Sequence, residues 1–153
     1  MDNALHKTQF QPDLKVGRDV SSFTSLSLVN ISERYKFNLG QEPTGSIRTF
    51  VARERSSDRR VLIQHLNLSK DTEGTEVIRF IREAQCLQRL DHTNILRTHE
   101  YARTLEGPFV VLEHFDGSVL GSLVKKGGLG VVEALAITIK VCEAIEYSHL
   151  QGI

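Results

Sequence analysis

Tryptophan is absent from this chain of 153 residues, and methionine occurs once. Cysteine is nearly absent too. Cys86 and Cys142 lie far apart, with no CxxC spacing, which argues against a zinc ribbon, a redox pair or a disulfide framework. Both fall within apolar helical patterns, where a free thiol acts as a small hydrophobe in a reducing cytosol. An excess of either charge is missing as well. Nineteen cations balance 19 anions, so no global field draws the chain to nucleic acid or anionic lipid. No apolar run approaches the ~18 residues of a spanning helix. The opening MDNALHKTQF lacks the cationic then apolar order of a secretory signal. His92, His99, His114 and His149 share no ligand spacing, so no metal site is expected. A cytoplasmic protein with protein partners, and neither nucleic acid nor membrane, is the expectation.

What is present is ordinary for a globular chain. Apolar residues make up 40% and charged residues 25%. The length suits one domain of ~150 residues, able to bury roughly 68–70% of its unfolded surface.

Organisation follows from changes in period. Residues 1–33 are mixed and serine-rich, with Pro12 and Gly17 interrupting any pattern; they read as a weakly ordered lead-in with one short strand near Leu26–Val29. RYKFNLG, SIRTFVARE and RRVLIQHLNL then form three strand-like runs separated by QEPTG and ERSSD, the composition of turns. Such short joins imply an antiparallel meander. After SKDTEGTE the period shifts to about 3.6. Val77, Ile81, Ala84 and Leu87, flanked by Phe80 and Leu90, form one stripe of a helix, with Thr72 or Thr75 as its cap. ILRTHEYAR and GPFVVLEHF read as two further strands around the turn LEG. VLGSLVKK reads as a short helix stopped by Gly127 and Gly128. A long helix from Val132 to His149 carries Leu135, Ile139, Cys142 and Ile145 or Glu146 on one side.

Three stretches in this order, FIREAQCLQRLDHTNIL, FVVLEHFDGSVLGSLVKKGG and ALAITIKVCEAIEYSHLQGI, resemble a eukaryotic-type serine/threonine protein kinase. The resemblance covers about residues 34–153, from the small lobe through the hinge and the next two helices. It implies an α+β fold: a five-stranded antiparallel sheet plus one helix over 34–115, then two helices of an incomplete large lobe over 116–153. The family's H-R-D-x-x-x-x-N loop and D-F-G, which supply the base and the magnesium ligands, are not among these residues. The expectation is therefore no catalytic residue, and magnesium only with those missing parts.

The resemblance also implies an ATP site. LGQEPTGSI places Gly40 and Gly45 at the first and third positions of GxGxxG, and Ile47 at the apolar position that follows. Glycine there lets backbone amides approach phosphate. Glu42 stands at the middle glycine and Pro43 removes an amide, so GQEPTG reads equally as a hairpin turn. In V-A-I-K the lysine neutralises the α- and β-phosphates and pairs with a helix glutamate. Here the places read Val61, Leu62, Ile63 and Gln64. Glutamine carries no charge, and Leu62 narrows the slot where alanine leaves room for a base. Losing one preorganised donor in another enzyme class costs ~2.7–4 kcal/mol, and losing a cation should cost at least as much. His65 and Arg48 leave their strands on the opposite face, so neither substitutes. Glu83, the matching helix glutamate, is left to Arg79, Arg82, Gln64 or solvent. Backbone groups of Glu113 and Phe115 would meet the adenine edge, with Leu112 behind the pocket. Two functions follow. One is part of a kinase domain that is not competent as these residues stand. The other is a pseudokinase-type regulatory domain opening a larger signalling protein, with little or no nucleotide binding.

Overall fold

A computed structural model describes residues 26–37, 46–68, 74–125 and 127–153. Gly40, Glu42, Pro43 and Gly45 of the candidate phosphate turn, Thr72, and residues 1–25 lie outside the described residues.

Five strands form one antiparallel sheet: β1 (Tyr35–Phe37), β2 (Ile47–Glu54), β3 (Arg60–Leu66), β4 (Thr98–Arg103) and β5 (Pro108–Glu113). Their order is β1-β2-β3-β5-β4, so β1 and β4 are the edges. Among the described residues four helices accompany them: α1 (Ile31–Arg34), α2 (Gly74–Gln88), α3 (Leu120–Lys125) and α4 (Val131–Leu150). This is the expected sheet plus helix followed by two further helices.

Side-chain alternation sorts β3 onto two faces. Leu66 joins Val110, Leu112 and the α2 residues Val77, Phe80, Ile81 and Ala84 in one core, with Leu62 packed against it. Val61 and Ile63 join Tyr35, Ala52, Ala102, Phe109 and Val111 in a second core on the opposite face. The α2 stripe was legible from its 3.6 period, and its buried residues are those of the stripe. Thr75 lies inside the helix, one residue past its start, so it is not the cap. The β4–β5 turn requires its glycine: a Cβ at Gly107, where φ is +150°, would stand 1.9 Å from the Leu66 carbonyl oxygen.

The chain ahead of β1 is packed from Leu26 onward. Leu26 is buried in the α2-side core, and Leu28 makes a parallel bridge to Arg103 in place of a full strand.

Helix α4 is fixed through the turn that follows α2. The Asn94 amide donates to the Lys140 carbonyl (3.2 Å) and to Glu143 (2.9 Å), while the Asp91 N–H donates to the Tyr147 hydroxyl (3.2 Å). Arg89 donates to the Gln151 carbonyl, and the His92 ring stacks on Tyr147 with centroids 5.1 Å apart. The stripe of Leu135, Ile139 and Ile145 is exposed. Cys142 is exposed with it, against the expectation of a core thiol, because no described residue packs on that side. Among the described residues no helix is long and apolar enough to cross a membrane, and no cluster of His, Cys, Asp or Glu could hold a metal ion.

Candidate functional site

The site is built on one face of β2 and β3. Residues directly opposite in a register share a face. The pairs Ile47↔Leu66, Thr49↔Gln64 and Val51↔Leu62 therefore bring Ile47, Leu62 and Gln64 together on the α2 side. Leu62 also pairs with Leu112 of β5, and the two form an apolar wall, half-buried and buried respectively.

Charge is arranged against a polyphosphate. Gln64 is half-buried, and no hydrogen bond joins it to Glu83 among the described residues. Glu83 turns instead along its own helix, with Oε1 3.8 Å from Arg79 Nε, and its side chain is 64% exposed. An exposed pair at this spacing contributes at most ~0.5 kcal/mol, too little to hold α2. Three cations of β1–β3 share the face of Gln64, at the far end of the strands: Lys36, Arg53 and Arg60. Arg53 is bound to Asp58 at 3.0 Å, and Arg60 to Asp116 at 3.1 Å. Four residues of strand put Arg60 roughly 13 Å from Gln64.

Arg48 and His65 form a cross-strand pair on the other face. His65 is buried, with Nε2 3.1 Å from the Thr104 hydroxyl. Burial pushes its imidazole below the ordinary value, Glu106 opposes that shift and Arg48 reinforces it. A neutral, buried ring on the wrong face cannot stand in for the missing lysine.

The hinge is held by side chains that the motif does not include. Arg60 donates to both Asp116 oxygens (3.2 and 3.1 Å) and approaches His114 Nε2 at 3.2 Å. The Glu113 N–H donates to the Arg97 carbonyl at 2.8 Å. The Phe115 N–H has no backbone partner among the described residues, and its ring, 72% exposed, lies against Gly117. A second contact outside the motif joins the start of β2 to α2: the Ser46 hydroxyl donates to Glu76 at 2.5 Å. Neither Arg60 nor Ser46 carries a local signal, since each partner lies 30 or more residues away.

These residues fit a planar base better than a nucleoside triphosphate. They supply an apolar wall and an unused amide, and the side chains that flank Gln64 on its face, Thr49, Leu62, Leu66 and Val110, carry no charge.

The model of the protein kinase domain matches residues 35–153, and the chain belongs to the protein kinase family. Among its relatives is the serine/threonine-protein kinase PksC of Streptomyces coelicolor, 33% identical over 118 residues, covering 71% of this chain and 21% of that one. The probable serine/threonine-protein kinase PknB of Corynebacterium glutamicum is 33% identical over 130 residues, covering 80% of this chain and 20% of its own. The chain thus spans about a fifth of the length of these relatives. Its fold is that of Rad53 1–466, solved in complex with AMP-PNP, with a TM-score of 0.66 at 20% identity over 80% of this chain and 32% of that one.

Proposed function

We propose that residues 35–153 are the nucleotide-facing part of a serine/threonine protein kinase domain in a larger signalling protein, and that they do not transfer phosphate as they stand. Gln64 carries this reading. It stands on the α2-facing side of β3 without a charge, while Glu83 pairs with Arg79. Base contacts would come from the Leu62 and Leu112 wall, from Ile47, and from backbone at Glu113 and Phe115. Gly40 and Gly45 would border the phosphates. ATP binding is then weak, and magnesium adds nothing within these residues, because both the strand cation and the metal ligands of D-F-G are missing from them. The partners are proteins, as substrates or as further domains, and the site of action is the cytoplasm.

A second reading is favoured by the Glu83–Arg79 pair. With the helix glutamate not bonded to Gln64, the domain would act by binding a partner, as pseudokinases do, and the nucleotide would be dispensable. Calorimetric titration with ATP, with and without magnesium, tests the first reading. We expect no micromolar binding and no gain from the metal. We also expect that Gln64→Lys alone restores no peptide phosphorylation. A magnesium-dependent micromolar Kd for the unaltered chain would overturn the proposal.

A further inference from the structure

An open sheet leaves two edges with unpaired backbone groups, and proteins cover such edges. Here a single segment ahead of the residues matched by the kinase model reaches both edges. At the β4 edge, the Val29 N–H donates to the Arg103 carbonyl (3.0 Å) and the Arg103 N–H to the Ser27 carbonyl (3.1 Å). The Arg103 side chain adds a bond to the Leu26 carbonyl at 3.2 Å. The segment then sends its apolar side chains to both faces. Leu26 is buried in the core shared with α2, while Val29 and Ile31 pack against the opposite core.

Its other end meets β1. Asn30 caps α1 by accepting from the Ser32 N–H, and the Arg34 carbonyl accepts from the Arg55 N–H at 2.8 Å. Arg34 and Tyr35 both converge on Glu100 of β4: the guanidinium lies 2.8 Å from one carboxylate oxygen, and the tyrosine hydroxyl donates to the other at 2.7 Å. β1 and β4 are opposite edges of the sheet. Their direct contact through Glu100 means that the sheet is curled and that residues 26–35 close its seam.

We propose that residues 26–35 are a strap, closed in this structure, which couples the β4 edge of the sheet to helix α2. Helix α2 packs on β4, the strand next to the strap, and on its neighbour β5. Drawing the strap out would empty the place of Leu26 in the core beneath α2 and break the bonds of Ser27 and Val29 to the Arg103 backbone. Release of the strap therefore loosens the helix that carries Glu83, without touching the nucleotide face. This inference goes beyond the proposed function and stands on the fold alone, so failure of nucleotide binding leaves it intact.

Hydrogen exchange on the full chain tests it with two variants of different kind. Leu26→Ala removes the anchor and keeps the backbone bonds, while Val29→Pro removes one backbone donor and keeps the anchor. Each is expected to speed amide exchange in 77–88 and 98–103 by about tenfold, with β2 and β3 unchanged. Faster exchange confined to residues 26–30, or spread evenly over every strand, would overturn the strap. If Leu26→Ala fails to fold, Val29→Pro decides alone.

Discussion

A histidine that loses water on folding makes stability depend on pH. Burial lowers the pKa of His65, and burial acts in the same direction on His99, where Arg59 and Arg97 add to it. Both groups therefore bind protons more readily when unfolded, where their pKa is about 6.5. As pH falls below that value the unfolded state takes up protons first, so stability drops on acidification and is recovered above it. We expect the urea midpoint to fall between about pH 7.5 and pH 5.5. His65→Gln should flatten that slope without abolishing it, because His99 still titrates. An unchanged slope in the variant would show that His65 is not the cause. The face on which His65 stands was legible in the sequence, because alternation along a strand is steric and local. Its Thr104 partner was not, since the two meet only after β5 has paired with β3 and brought the β4–β5 turn beside it.

Most elements could be read from periodicity, and the ties between them could not. The meander, the helix of fifteen residues and the two strands after it follow from apolar spacing and turn composition. Arg59 and Arg60 mark the limit. They are identical neighbours, yet Arg59 binds Glu54 and Arg60 binds Asp116, because adjacent strand residues point to opposite faces. Likewise no local pattern links Tyr35 to Glu100, 65 residues away. For the candidate site, the uncharged Gln64 was visible in the letters alone, while the turn of Glu83 toward Arg79 needed the helix to be placed. At this scale Gly107 is the sharpest test. Its φ is positive and the Leu66 carbonyl occupies the place of a Cβ. Gly107→Ala should cost about 3 kcal/mol, read as a lower midpoint in urea. A loss within ~0.5 kcal/mol, the range of neutral surface changes, would mean that the turn can shift.

The described molecule has one well-covered half and one bare one. Around the sheet, apolar side chains are paired into two cores, whereas along α4 Val131, Val132, Leu135, Ile139 and Leu150 are each more than half exposed. Patches of this kind mark contact surfaces or drive self-association. The 153-residue polypeptide alone is expected to associate as its concentration rises, and Leu135→Glu with Ile139→Glu to keep it monomeric. Sedimentation velocity reads both, and an unaltered chain that stays monomeric throughout would contradict the expectation. The grip on α4 has its own outcome. It engages Lys140, Glu143, Tyr147 and Gln151, from the middle of the helix to just beyond its end, and it arises from the turn that ends α2. α4 is therefore steered like a tiller from its Tyr147 end. A small rotation of α2 would sweep the Val131 end through the widest arc.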